Sequence, residues 1–379
     1  MENFIAYNPT RVHFGKNVTD GLGEAAAALG KKVLLVYGKG SVLRNGSYDQ
    51  TKAQLNAIGA GIFEYSGIKP NPLVGDVDEA ARFGLEKDVD IIVAVGGGSV
   101  IDSAKIIGVC IAKKCKGWDV MKNKVDITRS VPLIAVLTLA ATGTEMNAVS
   151  VLQNSETHEK IGFRHEVMFP VHSFLDPAFT QSVPADYTAY GIVDLIAHAM
   201  ENFFGEGEAP LSDMFVEGII REAFVFGPEL MNSLDNYDFR ARMMWAATNA
   251  LNGLTMYGRT SGDWGVHALG HVISYLYDTA HGATLSIAYP AWLKVLKPKL
   301  HDRISVLGNH LFNDTNADQT IDRLESFFKS IGSPVRLSDI GLGMKDADAI
   351  LQLLNKQRAS GLHYKLDDKL REEMVNLMV

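Results

Sequence analysis

The stretch Asp90-Ile91-Ile92-Val93-Ala94-Val95-Gly96-Gly97-Gly98-Ser99 determines the fold expected for the first half of the chain. The apolar run Ile91–Val95 has no alternating polar residues, which is typical of a strand covered on both faces. Glycines and a serine follow at once, and a helical pattern begins near Val100. A strand, a glycine turn and a helix in this order are typical of doubly wound parallel α/β sheets.

Similar units lie on either side of this stretch. The run Lys32–Tyr37 ends at Gly38-Lys39-Gly40-Ser41, and the run Val131–Val136 leads into a segment rich in Thr and Gly. Helical patterns such as Val74–Leu85 lie between the runs. We therefore predict that residues 1–183 form a doubly wound, Rossmann-like α/β domain that binds NADP.

The pattern changes to a helical one near Pro184. Apolar residues at three- and four-residue spacing recur in Tyr187–Phe204, Asp213–Phe226, Tyr237–Leu254 and Trp264–Tyr277. Few β-rich runs interrupt these segments. The spacing predicts that residues 184–379 form an all-α domain, which also carries the candidate metal ligands described below.

The composition limits the classes of function. With 379 residues, 47% apolar residues and a net charge of −8, the chain suits a globular protein of two domains and lacks the basic surface that nucleic-acid binding needs. No apolar run reaches the roughly 18 residues of a membrane-spanning helix, and the first residues do not resemble a signal peptide. The only cysteines, Cys110 and Cys115, are too few for a disulfide scaffold. We expect a cytoplasmic protein that acts on a small molecule, with no nucleic-acid or membrane partner.

The loop Gly96–Ser99 is the first candidate site. Glycines let the backbone turn tightly and leave its N–H groups open to an anion, and the helix that follows adds N–H donors and a partial positive charge. A pyrophosphate fits such a loop, and a tight turn that needs only one or two glycines is the simpler alternative. The spacing differs from G-x-G-x-x-G, so the ordinary dinucleotide fingerprint is not assigned.

The loop Gly38–Ser41 bears on the choice between NAD and NADP. Folds that select NAD place a carboxylate near the adenosine ribose, where it binds the 2′-hydroxyl and repels a 2′-phosphate. Here the strand ends in two glycines, the Lys39 ammonium and the Ser41 hydroxyl, with no acidic residue. This set favours NADP, although a solvated turn lysine is an equally good explanation of Lys39.

Five residues of the second half form a candidate metal site. Asp194 and His198 are four residues apart and share a helix face, as do His267 and His271, and His281 follows. The apolar neighbours of Asp194 and His198 indicate a buried face, where unpaired polar groups are costly. A carboxylate and imidazoles suit Fe²⁺ or Zn²⁺, and the candidates outnumber the roughly four positions of such a site.

Four segments together resemble the iron-dependent (group III) alcohol dehydrogenases, most closely their NADPH-dependent butanol dehydrogenase-like aldehyde reductases. The segments are Gly96–Lys105, Thr138–Asn147, Asp194–Glu201 and His267–Gly282. They occur in the family's order and span most of the chain. The resemblance implies the architecture shared with dehydroquinate synthase, in which a Rossmann-like α/β domain precedes an all-helical domain.

The resemblance also implies roles for individual residues. It implies that Asp194, His198, His267 and His281 bind the metal, and that His271 lies near the reacting carbon as a catalytic proton relay. Gly38 stands where relatives that use NAD carry an aspartate. With the loop residues already discussed, the implied cofactor contacts are Gly38, Lys39, Ser41, Asn71, Gly97, Gly98, Ser99, Asp102, Thr138, Thr142 and Lys160.

These features predict reversible hydride transfer between NADP(H) and an alcohol/aldehyde pair, catalysed with one divalent metal ion, Fe²⁺ or Zn²⁺. An NADPH-dependent aldehyde reductase or butanol dehydrogenase is the leading hypothesis. The alternative on the same fold is a metal-dependent lyase of the dehydroquinate synthase type, which uses NAD transiently, and a non-catalytic metal or nucleotide sensor is a third hypothesis. Family members commonly pair, partly through an N-terminal strand like Arg11–Phe14, so we expect a homo-oligomer and specifically a homodimer.

Overall fold

A parallel β-sheet lies at the centre of the first half of the protein, as seen in a computed structural model that describes residues 1–379. The strands are β1 (Arg11–Phe14), β2 (Lys32–Tyr37), β3 (Gly61–Tyr65), β4 (Ile91–Gly96), β5 (Leu133–Leu137), β6 (Val149–Asn154), β7 (Glu159–Arg164) and β8 (His172–Leu175). Six of them form the sheet in the order β1-β8-β5-β4-β2-β3, and every neighbouring pair is parallel.

The strand order brings the predicted glycine loops to one place. The chain runs from β2 outward to β3 and then returns to the other side of β2 as β4, so the direction of winding reverses between β2 and β4. The carboxyl ends of parallel strands lie at one edge of the sheet, and ligands bind in the crevice outside them at such a reversal. The loops after β2, β4 and β5 therefore share the edge at which this fold class binds nucleotides.

Helices cover both faces of the sheet. They are α1 (Leu22–Ala27), α2 (Ser41–Arg44), α3 (Ser47–Ala57), α4 (Val74–Lys87), α5 (Gly98–Lys113) and α6 (Gly117–Met121). Side chains of β4 alternate between two apolar cores: Ile92 packs with residues of α4 and α5, and Val93 packs with residues of α1 and α3. Burial on both faces explains why the strand sequence lacks polar alternation, and it confirms the predicted doubly wound fold.

The antiparallel hairpin of β6 and β7 is an element that the sequence pattern does not indicate. Its turn includes His158, whose φ of +58° lies in the left-handed region. The hairpin is fixed to α5, because the Ser150 hydroxyl donates to the Asp102 carbonyl oxygen at 2.9 Å. Through β7 it carries Lys160, one of the predicted cofactor residues.

The second half is helical, which confirms the predicted class of that half. Its helices are α7 (Ala185–Phe203), α8 (Pro210–Asn232), α9 (Tyr237–Ala250), α10 (Gly265–Tyr277), α11 (His281–Phe312), α12 (Ala317–Ser330), α13 (Met344–Gln357) and α14 (Asp368–Met378). Every residue of α7 from Gly191 to Phe203 is buried, so this helix forms the centre of the helical core. None of the helices combines the length and the apolar character that crossing a membrane requires.

The chain divides into two units whose bounds differ at two places from the predicted division after residue 183. The α/β unit comprises Tyr7–Val183 and Leu234–Met244, and the helical unit comprises Met1–Ala6, Pro184–Ser233 and Trp245–Val379. Two short segments thus belong to the unit opposite to the one that the sequence assigns.

Specific contacts explain both departures. The N-terminal segment joins the helical unit because the Glu2 backbone N–H donates to the Gly258 carbonyl oxygen at 2.8 Å. The segment Leu234–Met244 joins the α/β unit because the Arg240 guanidinium donates to the Val183 carbonyl oxygen at 3.1 Å and Met244 is buried in the core under α4 and α5. Neither contact has a local sequence signal, since each joins residues far apart in the chain.

Candidate metal and cofactor sites

Three helices of the helical unit carry the candidate metal ligands. Asp194 and His198 lie one turn apart on the buried helix α7, as their spacing predicts. His267 lies in the first turn of α10, and His281 is the first residue of α11. Each ligand is therefore fixed by a regular element, and two of them stand at helix starts.

Close helix packing brings these elements together. A Cβ on Gly282 would lie 2.1 Å from the Tyr190 carbonyl oxygen, so only glycine lets the start of α11 meet the backbone of α7. A Cβ on Gly270 would lie 2.7 Å from the Thr284 hydroxyl oxygen, which shows that α10 and α11 are equally close. Both glycines lie within three residues of a candidate ligand, so they set the distances in the site.

Asp194, His267 and His281 form one cluster, in which a donor atom of each lies within 4.8 Å of the others. Asp194 Oδ1 is 4.0 Å from His267 Nε2 and 3.7 Å from His281 Nε2. His198 stands beside them: its Nδ1 is 3.7 Å from Asp194 Oδ1, and its ring stacks on His267 with centroids 4.8 Å apart. The structure thus gathers three predicted ligands and places the fourth against two of them.

The cluster has the properties of a divalent metal site. His198 Nδ1 and His267 Nε2 are buried without a hydrogen-bond partner, which is costly unless a ligand satisfies them. Burial, together with the nearby His267, holds the pKa of His198 well below its usual value, so this ring is in the neutral form that binds metals. Donors 3.7–4.0 Å apart can share one ion, because two bonds of about 2.1 Å span that distance. The mixed set of one carboxylate and imidazoles suits Fe²⁺ or Zn²⁺.

Glu201 supports the cluster and was not assigned from the sequence. Its Oε1 accepts hydrogen bonds from His267 Nδ1 at 2.9 Å and from the His267 backbone N–H at 3.1 Å. A carboxylate on one ring nitrogen fixes the tautomer and directs the other nitrogen, Nε2, toward the cluster. The signal was present, since Glu201 lies seven residues after Asp194 and three after His198, on the same face of α7.

His271 lies outside the cluster of three. Its ring centroid is 6.5 Å from that of His267, one turn earlier on α10, and 5.3 Å from that of His281. The side chain is partly exposed. His271 thus lies next to two candidate ligands, and both its place near the reacting carbon and its role in proton transfer stay predictions.

The glycine loop of the α/β unit is as tight as its sequence suggests. Gly97 alone separates β4 from α5, so the strand passes into the helix within one residue. A Cβ on Gly98 would lie 2.8 Å from the Thr142 hydroxyl oxygen. The Thr138 backbone N–H donates to the Gly96 carbonyl oxygen at 3.0 Å. The predicted cofactor residues in the loops after β4 and β5 are therefore neighbours at the carboxyl edge of the sheet.

Three other predicted residues lie around the segment Pro70–Pro72. The Ser99 hydroxyl donates to the Pro70 carbonyl oxygen, and Lys160 Nζ donates to Asn71 Oδ1 at 2.8 Å. Asn71 and Lys160 are both buried. These contacts join the start of α5 and the hairpin strand β7 to one segment, so the structure brings the three residues together.

Asp102 is held differently from the other predicted cofactor residues. It is buried one turn inside α5, where its Oδ1 accepts from the Thr144 hydroxyl at 2.5 Å and its Oδ2 accepts from the Val151 backbone N–H at 2.8 Å. Burial raises the pKa of this carboxyl against the attraction of Lys105. Both oxygens thus bind groups of the α/β unit and connect α5 to β6, and a contact of Asp102 with a cofactor stays a prediction.

The loop Gly38–Ser41 carries more positive charge than the sequence analysis assigned. Lys39 is exposed, and the Arg44 guanidinium lies over the loop, since a Cβ on Gly40 would be 2.7 Å from Arg44 Nη1. A Cβ on Gly38 would meet no atom closer than 3.5 Å, so a Cβ is accommodated there without a clash. Arg44 follows Ser41 within the one-turn helix α2, and this spacing alone gave no sign of its position.

A carboxylate does occur on the neighbouring strand β3, at Glu64. Its Oε2 accepts hydrogen bonds from the hydroxyls of Tyr37 and Tyr48, each at 2.8 Å, and Lys52 Nζ lies 2.8 Å from its Oε1. The lysine neutralises this carboxylate, and the tyrosines occupy its second oxygen. Glu64 therefore does not act as an unpaired negative charge at the end of β2.

Both halves of the sequence match models of one protein family. Residues 9–177 match the family described as iron-containing alcohol dehydrogenase, and residues 188–378 match the C-terminal part of the Fe-containing alcohol dehydrogenase family. The chain belongs to the iron-containing alcohol dehydrogenase family. This confirms the family that the sequence motifs indicate.

Individual relatives of this alcohol dehydrogenase cover nearly all of its length. NADH-dependent butanol dehydrogenase A of Clostridium acetobutylicum is 37% identical over 94% of this chain and 93% of its own. The NADPH-dependent aldehyde reductase YqhD of Escherichia coli is 34% identical over 96% of this chain and 94% of its own. The crystal structure of NADH-dependent butanol dehydrogenase A from Thermotoga maritima is 35% identical and has a TM-score of 0.95, covering 100% of this chain and 99% of that one.

These relatives confirm the fold and the enzyme class. Membership of the family implies a nicotinamide cofactor, a metal ion and alcohol or aldehyde substrates. The names of the relatives include both NADH and NADPH, so the finer choice of cofactor depends on the residues of this chain.

Proposed function

We propose that this iron-containing alcohol dehydrogenase reduces aldehydes with NADPH, and oxidises the corresponding alcohols in reverse, as an NADPH-dependent aldehyde reductase or butanol dehydrogenase. The observation that carries the proposal is the buried cluster around Asp194. Two imidazole nitrogens beside it, His198 Nδ1 and His267 Nε2, have no hydrogen-bond partner. A metal ion satisfies these atoms, and it is the group that the chemistry of this family uses.

Within the cluster, each residue has a defined task. Asp194, His198, His267 and His281 would hold the ion, and Glu201 keeps His267 Nε2 directed at it. When bound, the divalent metal, Fe²⁺ or Zn²⁺, supplies Lewis-acid polarisation of a carbonyl group. NADPH, held by the α/β unit, supplies the hydride.

His271 is assigned the proton transfer that completes the reduction. An alcohol product needs a proton on its oxygen, and a positioned imidazole is the most common donor. His271 is partly exposed and lies 5.3 Å from His281 between ring centroids. It can therefore exchange its proton with solvent while standing beside the metal ligands.

The preference for NADP rests on the charge at the end of β2. Lys39, Ser41 and Arg44 offer two cations and a hydroxyl to a doubly negative 2′-phosphate. Gly38 has no side chain, so the carboxylate that would repel this phosphate is absent. The pyrophosphate is assigned to the backbone N–H groups at the start of α5, in the loop Gly97–Ser99. The further contacts proposed for the cofactor are Asn71, Asp102, Thr138, Thr142 and Lys160.

We also propose the setting in which the enzyme works. Residues 1–183 bind the nucleotide, and residues 184–379 bind the metal and the substrate. The family matches at residues 9–177 and 188–378 support this division. A homodimer is supported by β1, an edge strand of the sheet that pairs within it with β8 alone. A cytoplasmic location is supported by the presence of only two cysteines.

One experiment tests the reaction, the metal and the cofactor together. The protein is purified without added metal, its metal content is determined by mass spectrometry, and butanal is offered with NADPH or NADH while absorbance at the nicotinamide band is followed. We expect bound iron or zinc and faster turnover with NADPH. Equal rates with NADH would contradict the NADP assignment. Turnover of a phosphorylated substrate without net NADPH consumption would favour the lyase, and nucleotide binding without any turnover would favour a sensor.

A further inference from the structure

The backbone of Trp264 adopts an unfavourable conformation beside the metal cluster. Its φ is +62° and its ψ is +16°, directly before the first residue of α10. The other non-glycine residues with positive φ are asparagines, residues that end helices, or His158 in the hairpin turn, where this conformation is common. A bulky side chain in the left-handed region elsewhere is an outlier, and such strain persists only where surrounding contacts impose it.

On its N-terminal side, Asp263 holds Trp264 in place. The Asp263 carboxylate accepts hydrogen bonds from the backbone N–H groups of His363 at 2.9 Å and Tyr364 at 2.8 Å. The Asp263 backbone N–H in turn donates to the Glu201 carbonyl oxygen at 3.0 Å. The residue before Trp264 is therefore fixed to α7 and to a segment near the C-terminus.

On its C-terminal side, close packing leaves no room for adjustment. A Cβ on Gly265 would lie 1.9 Å from the Trp292 ring, so the backbone of Gly265 rests directly on that indole. Trp264 makes no side-chain cap to α10, and the Glu201 carboxylate takes this role by accepting the His267 backbone N–H. The same residue that orients a candidate metal ligand thus also anchors the strained segment.

The result of this strain is the position of a large ring. The Trp264 ring centroid lies 5.3 Å from that of His267, with planes at 71°, and 6.3 Å from that of His198, with planes at 58°. The side chain is partly exposed, so one side of the indole contacts candidate ligands and another is accessible. Glycine would adopt this backbone without strain, and the chain has tryptophan there.

We propose that the Trp264 indole is a wall of the substrate site and determines which aldehydes the enzyme accepts. The inference rests on the proposed function. The ring lies beside two candidate metal ligands, so it is close to the place where the carbonyl group of an aldehyde would bind. Among the carbon atoms of the aldehyde, the one next to the carbonyl would therefore contact the indole first. Trp264 therefore admits an unbranched α-carbon and excludes a fully substituted one.

The test compares substrates that differ only at this carbon. Purified Trp264→Ala, Trp264→Gly and Trp264→Phe are assayed with NADPH and either butanal or 2,2-dimethylbutanal. The ratio of kcat/KM for the branched to the straight aldehyde should rise at least about tenfold in the Ala and Gly variants, the range that one or more carbon atoms contribute in an apolar pocket, and less in the Phe variant. Trp118→Phe is the matched control, since Trp118 packs against the core of the α/β unit, and it should keep the wild-type ratio.

Two measurements without turnover examine the geometry itself. Co²⁺ added to metal-free protein should quench part of the tryptophan emission of the wild type, and this part should be missing in Trp264→Phe. The metal-free Gly variant should unfold at a higher temperature than the Ala variant, because only alanine retains the backbone strain. Identical quenching in the wild type and the Phe variant, or equal unfolding temperatures, would contradict the placement or the strain on which the inference stands.

The outcomes separate the inference from the function on which it rests. Active variants with an unchanged substrate ratio overturn the role of Trp264 alone. A wild-type protein that reduces neither aldehyde with either nucleotide overturns the proposed function and the substrate wall with it. Should the Ala variant fail to fold, the Gly variant, which relieves the strain, carries the same test.

Discussion

The candidate cofactor site of the α/β unit consists mainly of backbone, whereas the candidate metal site of the helical unit consists of side chains. In the first, Gly97 and Gly98 provide space because they lack side chains, and added atoms would collide with neighbours. In the second, Asp194, His267 and His281 come from three helices and matter through their donor atoms. The first site should therefore be damaged by adding atoms and the second by removing them.

Removing a donor from the metal site gives the largest expected effect. His267→Ala takes away a nitrogen that lies 4.0 Å from Asp194 Oδ1 and has no hydrogen-bond partner in the protein. We expect loss of the bound metal and a fall in kcat/KM for butanal of at least about a thousandfold, because Lewis-acid polarisation contributes several kcal/mol. Metal analysis and initial rates with NADPH measure the two effects.

A histidine on the surface provides the control for this change. His301 on α11 has a side chain that is 64% exposed and lies beside Asp302. His301→Ala should keep both metal and activity. Full activity in metal-free His267→Ala would show that the cluster is not the catalytic site.

Adding a carboxylate to the backbone site should change its cofactor preference. Gly38→Asp places a negative charge where the adenosine ribose is expected, and the nearest atom to the new Cβ, the Ile68 carbonyl oxygen, is 3.5 Å away. The ratio of kcat/KM for NADPH to that for NADH should fall by about a hundredfold, because a 2′-phosphate is repelled and a 2′-hydroxyl is bound. Steady-state kinetics with both nucleotides give the ratio, and metal content should stay unchanged. An unchanged ratio would place the ribose elsewhere.

Removing the charge of a residue that is hydrogen-bonded to a candidate metal ligand tests whether such supporting residues contribute to metal binding. Glu201→Gln replaces the carboxylate that accepts from His267 Nδ1 at 2.9 Å with an amide of similar shape. The dissociation constant for the metal should rise by about ten- to a hundredfold, as is usual for groups that orient ligands. Competition with a chelator measures it, with Glu373→Gln on the exposed face of α14 as the control. If both variants bind metal equally well, Glu201 only caps α10.

The two sites also differ in how far the sequence predicts them. The glycine loop is local, since β4, Gly97 and the start of α5 follow one another directly, so an apolar run before glycines was sufficient to locate it. The metal site is not local. The spacing of Asp194 and His198 placed them on one face of a helix, but which histidines join them depends on the packing of α10 and α11 on α7. The residues alone left five candidates, and the family resemblance narrowed them to four.

Features created by tertiary contacts were not predicted at all. The guanidinium of Arg44 over Gly40, the left-handed backbone of Trp264 and the carboxylate of Glu201 on His267 each depend on neighbours that packing supplies. The hairpin of β6 and β7 was missed for a related reason. Its two strands are only partly buried, and polar residues are interspersed with their apolar residues. They therefore lack the continuous apolar run that marks the central strands.

The smallest expected effect comes from adding a single methyl group to the backbone site. In Gly98→Ala the new Cβ would lie 2.8 Å from the Thr142 hydroxyl oxygen and 2.9 Å from its methyl carbon, so Thr142 has to move within the loops that we propose hold the cofactor. We expect the dissociation constant for NADPH to rise about tenfold, consistent with the 1–3 kcal/mol that overpacking typically costs, with metal content unaffected. Gly75→Ala is the matched control, because Gly75 on α4 has no atom within 4 Å of the new Cβ. Calorimetric titration of both variants decides the point: if Gly98→Ala binds NADPH as tightly as Gly75→Ala, the absence of side chains is not what forms the cofactor site, and the contrast with the metal site no longer holds.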